Sequence, residues 1–357
     1  MGMEYAVFLG FALVILGGLC GGSFALPGKF VPKETAWETL WGPFLFFVTI
    51  LIPVIGGPLL VSGCFEIYQK VGIAGLLIPI LCGLLWGVGS ILFGLCFVFI
   101  GLSLVYAFNC GGQIVCGTLG PMLFHQPGTF LTIPGVVVIL GVIVCIIGVA
   151  ISAKAGVMRT RSQNKDEEAS VAAPNLKRTI LGMFLAIMSG LLAGCVAIGV
   201  SFSTGSGGII ETAGGEPYNH EPWRAAIAVI LLILMSGCIP CCIYCAYKLT
   251  ANKTWGKFAT FSGQKVILIA LSMAVIHNTG VVLFGMGASY MGPLGVSVGY
   301  AIFMAGGIIF GNINGFITGE WKGASRQSIQ MMICAIIVLI VASSIMGFAN
   351  HLQLGMN

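Results

Sequence analysis

Runs of about twenty consecutive apolar residues recur along this chain, near 4–26, 41–62, 74–99, 102–124, 131–153, 178–202, 224–247, 265–289, 293–318 and 327–349. A helix of that length crosses a hydrocarbon core of about 30 Å. Barrel strands would instead show short alternating segments. The expected fold is therefore an all-α membrane protein with ten transmembrane helices. Composition agrees, because only 8% of the residues are charged, against about 25% in soluble domains. The first run has neither a basic stretch before it nor an A-x-A-like cleavage site, so it reads as a retained helix.

Sixteen Lys and Arg residues set the orientation. Fourteen fall on one side: Lys29, Lys33, Lys154, Arg159, Arg161, Lys165, Lys177, Arg178, Lys248, Lys253, Lys257, Lys265, Lys322 and Arg326. Only Lys70 and Arg224 fall on the other. The positive-inside rule makes the richer side cytoplasmic, with both termini and the 203–222 loop outside. The net charge of +5 is thus explained by topology and calls for no nucleic-acid partner.

A polar, charge-rich stretch at 154–177 reads as a cytoplasmic linker. It separates a first five-helix unit, 1–153, from a second, 178–357. Residues 13–26 and 185–198 align with matches at Leu13/Leu185, Ile15/Ile187, Gly18/Gly190, Leu19/Leu191, Gly22/Gly194 and Ala25/Ala197. The string G-x-x-L-F-G recurs at Gly89 to Gly94 and Gly280 to Gly285, in the third and eighth runs. Units with an odd number of spans lie in opposite orientations, so these are expected to be inverted repeats. Secondary transporters are built this way, with a site near the midplane.

Glycines at 17, 18, 21, 22, 83, 87, 89, 94, 306, 307 and 311 are expected to let helices approach closely. Pro240 lies inside the seventh run, where it would kink the helix. No Asp or Glu lies deep in a span, which demotes organic cations as substrates. No deep Lys or Arg is present to hold a phosphate or carboxylate, so a neutral polar substrate remains. Few polar side chains reach mid-membrane depth. They include Trp86 and Ser90 in the third run, Tyr106, Asn109 and Gln113 in the fourth, Asn278 in the eighth and Tyr300 in the ninth. Amides donate and accept, and an aromatic ring offers an apolar face to the C–H side of a polyhydroxylated molecule. Each amide serves equally well as an interhelical tie.

His277, near the middle of the eighth run, has an ordinary pKa of about 6.5 and is the candidate proton carrier. Most of the thirteen cysteines lie within spans, where they act as small hydrophobes. Cys238, Cys241, Cys242 and Cys245 share one helix, a poor arrangement for a tetrahedral metal, so no metal and no cofactor is expected.

Several motifs carry a family likeness. They are Pro27-x-Lys29 with Lys33 and Trp37-Glu38, Leu85-Trp86-Gly87-Val88-Gly89 with Gly94, and Gly101-Leu102-Ser103 with Gly117-Thr118 and Pro121. Ile147-Gly148-Val149, Ala155-Gly156 and Glu320-Trp321 complete the series. In this order and spacing the chain resembles the L-rhamnose/proton symporter family of the drug/metabolite transporter superfamily, over nearly its full length. The resemblance implies ten helices in inverted five-helix repeats, alternating access, and uptake of a deoxy sugar with protons. Ser90 and Phe93 stand where that family carries Asn and Tyr, and His277-Asn278 also departs from its pattern.

The expected function is a secondary active transporter that imports a small neutral sugar, L-rhamnose or a similar monosaccharide, with protons across a bacterial inner membrane. Trp86, Ser90, Tyr106, Asn109, Gln113, Asn278 and Tyr300 are its expected substrate contacts, and Lys29 and Glu38 its gating candidates. The alternatives are an exporter or exchanger of another neutral metabolite, or a membrane sensor. The chain lacks paired deep carboxylates, a ligand set for metal, and a Ser/His arrangement on adjacent helices, so no enzyme is expected.

Overall fold

The computed structural model describes residues 2–32, 34–163 and 176–355, so Lys33 and Lys165 lie outside the described residues. Among these, all regular structure is helical: α1 (Met3–Ser23), α2 (Trp37–Phe46), α3 (Ile52–Leu60), α4 (Cys64–Phe124), α5 (Ile133–Gln163), α6 (Leu176–Phe202), α7 (Ile209–Gly214), α8 (Pro222–Ser236), α9 (Cys238–Ala251), α10 (Phe261–Tyr290), α11 (Gly295–Ile317) and α12 (Arg326–Leu354). Nine helical segments among the described residues are long and apolar enough to cross a bilayer, which makes this a multi-pass membrane protein. The run expected at 102–124 is not among the nine. It is helical, but Asn109, Gln113 and several glycines lower its apolarity.

That run is the second arm of α4. Sixty-one residues of straight helix would extend about 90 Å at 1.5 Å per residue. α4 does not do so, because the Phe93 and Tyr106 rings lie 5.2 Å apart. Gly89 and Asn109 both meet the same stretch of α6, around Ser189 and Gly190. The chain reverses between Cys96 and Val105, which share a small core with Ala186. α6 therefore lies in the crotch of a helical hairpin.

Small residues set these approaches. A methyl group at Gly17 would lie 2.8 Å from the Gly280 carbonyl oxygen, and one at Gly18 3.0 Å from the Gly306 Cα, so α1 packs closely on α10 and α11. The α6 contacts follow the same pattern. A methyl at Gly89 would lie 2.8 Å from the Ser189 carbonyl oxygen, and one at Gly190 2.1 Å from that of Asn109.

Two local irregularities shape the interior. α8 ends at Ser236 and α9 begins at Cys238, because Pro240 has no N–H to offer the Ser236 carbonyl four residues earlier. The Trp86 ring rests on Gly237 at this break. Between α2 and α3, residues Phe47–Leu51 form a π-helical turn, and the Val48 carbonyl accepts a hydrogen bond from Asn278 Nδ2 at 3.2 Å.

Side-chain contacts sort the connections into two ends. At one, Lys29 meets Thr318 and Glu320, Gln163 reaches the carbonyls of Glu320 and Lys322, and Glu38 accepts from Asn252 and Thr254. At the other, Arg224 reaches the Leu60 carbonyl, Lys70 that of Glu216, and Gly292 abuts Leu354. α5 runs ten residues past its expected end at 153, through Gln163. Apolarity marks the membrane boundary rather than the helix end, and the extension carries Arg159 to Glu320.

Candidate functional site

α1, both arms of α4, α5, α6, α10 and α11 surround a cavity of about 450 Å³, within the range of roughly 300–1,000 Å³ usual for small-molecule sites. It reaches the bundle end where Lys29 and Glu320 stand exposed, and is blind at the other. Phe284, Tyr300 and Phe303, all buried and in ring contact, stand at the blind end.

A chain of hydrogen bonds crosses that blind end. Asn109 Nδ2 donates to Ser189 Oγ at 2.6 Å, Gln113 Nε2 donates to Asn109 Oδ1 at 2.7 Å, and Tyr300 Oη donates to Gln113 Oε1 at 3.0 Å. The four-residue spacing of Asn109 and Gln113 puts both amides on one face of the second α4 arm. Each amide is thereby oriented, leaving one Asn109 N–H, one Gln113 N–H and the Tyr300 Oη lone pairs for a ligand. Tyr300 can lie here because Gly117 has no side chain: a methyl there would come 2.3 Å from Tyr300 Cδ1.

The second wall is aromatic. Phe24, Phe44 and Trp86 surround His277, with ring centroids at 5.4, 5.9 and 6.3 Å, and Trp41 packs on Phe44 at 5.0 Å. His277 Nδ1 lies 3.3 Å from Asn278 Oδ1. Since Asn278 Nδ2 is already committed to Val48, its Oδ1 faces the ring as an acceptor. That places the imidazole N–H on Nδ1 and leaves Nε2 as the proton-accepting atom. Ser90 lines the cavity, with its hydroxyl bonded back to the Trp86 carbonyl at 2.9 Å.

The mouth carries the charges. Glu320 pairs with Lys29 and with Arg159 Nη1, the latter at 3.0 Å. Partial burial alone would raise the Glu320 pKa, but Lys29 and Arg159 outweigh it and hold the carboxyl below its ordinary range. Arg159 lies over the Trp321 ring at 5.1 Å, and Phe316 stacks on that ring at 4.8 Å.

Eight of the expected residues thus line one cavity: Trp86, Ser90, Tyr106, Asn109, Gln113, Tyr300, His277 and Lys29. Asn278 and Glu38 do not. Asn278 is buried against the π-helical turn, and Glu38, 3% exposed, fastens the start of α2 to the loop after α9. Sequence reasoning missed Arg159 and Glu320 as cavity residues. Their signal was a lone carboxylate beside Trp321 in a short connection, and its partners lie far away in the chain. In α9, Cys241 and Cys245 are buried, and Cys241 Sγ contacts the Gly87 carbonyl.

Residues 3–351 match the model of a family described as L-rhamnose-proton symport protein. The chain belongs to this family. It is a family of transporters rather than enzymes. Similar proteins include the L-rhamnose-proton symporter of Pectobacterium atrosepticum, 27% identical over 97% of this chain and 98% of that protein. Those of Cronobacter sakazakii, at 26%, and Yersinia pestis, at 27%, are covered equally.

Proposed function

We propose that this protein imports a small neutral sugar, L-rhamnose or a close monosaccharide, together with protons. The observation that carries this reading is the two-walled cavity. One wall offers oriented amides and a phenol at the blind end, and the other offers the rings of Phe24, Trp41, Phe44 and Trp86. A 6-deoxy sugar has matching halves: vicinal hydroxyls on one side, a methyl group and C–H faces on the other. Gln113 and Asn109 would supply donors to the hydroxyls, Tyr300 Oη an acceptor, and Trp86 an apolar face. Ser90 and Tyr106 would complete the contact, and His277 Nε2 would take the coupled proton.

The proposed architecture is two inverted five-helix repeats, 1–153 and 178–357, joined by a cytoplasmic segment at 154–177, with ten spans once the second arm of α4 is included. The glycine contacts support it. Under the alignment that pairs Gly17 with Ser189 and Gly89 with Gly280, the α1–α10 approach at Gly17/Gly280 corresponds to the α6–α4 approach at Ser189/Gly89. The drug/metabolite transporter superfamily fits this plan. The basic end of the bundle is the proposed cytoplasmic side of a bacterial inner membrane, with both termini outside. The cavity opens at that end, so this conformation is the inward-facing one. Alternating access requires sugar and proton to bind the two facing states with different affinity, which a shared cavity provides.

The test is accumulation of radiolabelled sugars in proteoliposomes with and without an inward proton gradient. Gradient-driven accumulation of L-rhamnose is expected. Failure to accumulate L-rhamnose or any related monosaccharide would refute the reading.

A further inference from the structure

Tyr300 has a counterpart elsewhere in the chain. The second arm of α4 and α11 both read S-x-x-Y-A, at Ser103 to Ala107 and at Ser297 to Ala301. In the same register Gly112 matches Gly306, Ile114 matches Ile308 and Gly117 matches Gly311. Tyr106 is thereby paired with Tyr300. Packing supports this register independently. The repeat alignment that pairs Leu13 with Leu185 also pairs Gly22 with Gly194. A methyl at Gly194 would lie 3.0 Å from Gly117 N and 3.1 Å from the Gln113 carbonyl oxygen. One at Gly22 would lie 2.6 Å from Gly311 N and 2.5 Å from the Gly307 carbonyl oxygen. α1 thus meets α11 at the residues equivalent to those where α6 meets the second arm of α4.

The two tyrosines are placed differently. Tyr300, 3% exposed, fills the space over Gly117, and its hydroxyl reaches both Gln113 Oε1 and, at 3.4 Å, the Ala193 carbonyl. It closes the blind end of the cavity. Tyr106, 38% exposed, lines the cavity in ring contact with Phe93, and its hydroxyl makes no hydrogen bond among the described residues. Gly311 also lines the cavity. A methyl there would come no closer than 3.5 Å to any described residue beyond its own turn of helix, the Gly22 carbonyl oxygen being nearest. No ring covers Gly311 as Tyr300 covers Gly117.

We propose that Tyr106 is the inner gate: in the outward-facing state its ring packs over Gly311 and seals the cytoplasmic mouth, as Tyr300 over Gly117 seals the opposite end in the inward-facing state. The counterpart of Gln113 is Gly307, so no amide receives the Tyr106 hydroxyl. The counterpart of Ala193 is Gly21, which lines the cavity, and its carbonyl is the acceptor. This gate rests on the proposed function, because it uses the inverted repeats and the alternation of facing states. It gives Gly311 a purpose that inward-facing packing does not, since that packing admits a methyl.

Gly311→Ala tests the gate, because its methyl fits the inward-facing conformation and obstructs only a docked Tyr106. Two assays on the purified full chain are compared: equilibrium binding of radiolabelled L-rhamnose in detergent, and counterflow of the same sugar in proteoliposomes, which requires both facing states. Gly311→Ala is expected to bind within about twofold of wild type and to exchange sugar about tenfold more slowly. In a Tyr106→Ala background the same substitution should slow exchange by less than about twofold, since the obstructed ring is gone. Tyr106→Ser replaces that background if Tyr106→Ala does not fold, and if neither exchanges sugar the single variant decides. Wild-type counterflow by Gly311→Ala, loss of its binding together with counterflow, or an equal cost in both backgrounds would overturn the gate and leave the transporter reading intact. A wild-type protein that neither binds nor exchanges L-rhamnose would overturn both.

Discussion

Gly117→Ala is the sharpest perturbation of the blind end, because it adds one methyl group and removes no polar atom. The added carbon would lie 2.3 Å from Tyr300 Cδ1 and 2.4 Å from Cε1, where carbon–carbon contacts settle at about 3.5–4.0 Å. The ring must retreat by more than about 1 Å to restore that spacing. Phe284 at 5.3 Å and Phe303 at 6.2 Å obstruct the retreat. A shift of this size takes the Tyr300 Oη to Gln113 Oε1 bond from 3.0 Å past the limit of a useful hydrogen bond. Losing a neutral bond of this kind is worth about 0.5–1.5 kcal/mol, and overpacking costs a further 1–3 kcal/mol or so in stability. The half-saturation concentration for L-rhamnose uptake in proteoliposomes should therefore rise about three- to tenfold. The unfolding midpoint should fall as well. Tyr300→Phe, which loses the hydroxyl without a clash, should raise half-saturation similarly and lower the midpoint by less than Gly117→Ala does, since only the hydrogen-bond loss remains. In the double variant Gly117→Ala with Tyr300→Ala, the stability deficit of the glycine substitution should shrink, since the clashing ring is gone. A Gly117→Ala protein with wild-type half-saturation and midpoint would refute the placement of Tyr300 over Gly117.

Three further outcomes are expected. His277→Gln should still equilibrate L-rhamnose down its gradient but should no longer move protons with it, which a pH-sensitive dye inside proteoliposomes reads directly. Asn278→Leu removes both the tie to the Val48 carbonyl and the acceptor facing His277 Nδ1, and should lower the unfolding midpoint while raising half-saturation less than Gly117→Ala does, because Asn278 does not itself line the cavity. The Glu320 pKa is lowered in the folded protein. Its ion pairs therefore contribute fully above the ordinary carboxylate pKa of about 4.3 and are lost as pH falls through the lower folded value. Glu320→Gln should accordingly lose stability relative to wild type between about pH 5 and 8, by a modest amount as expected for a partly exposed pair, and the difference should shrink as the medium is made more acid.

The spans were legible because apolarity is a local property that each run carries whatever its neighbours. The second arm of α4 shows the limit of that signal. The same Asn109 and Gln113 that line the cavity reduce its apolarity, so the residues that make this arm a candidate site also weaken its signal as a span. The helix-packing glycines were legible for a comparable reason, since a missing side chain limits what can be built at a position regardless of its partner. Partner choice was not legible. Asn278 looked like a sugar ligand until a carbonyl 230 residues away claimed its donor. Arg159 and Glu320 meet across 161 residues, and nothing in either segment specifies the other. Glu38 shows the same limit, because a carboxylate beside Trp37 at a membrane boundary looks the same in sequence whether it faces a cavity or, as here, accepts hydrogen bonds from Asn252 and Thr254.

Sugar and proton are proposed to move together through one cavity. Their joint movement is tested most directly by adding L-rhamnose to proteoliposomes of the wild-type protein with no gradient imposed and following the internal pH. The interior should acidify as L-rhamnose enters, and a monosaccharide the protein does not carry should have no effect. L-Rhamnose entry with a constant internal pH would contradict joint movement.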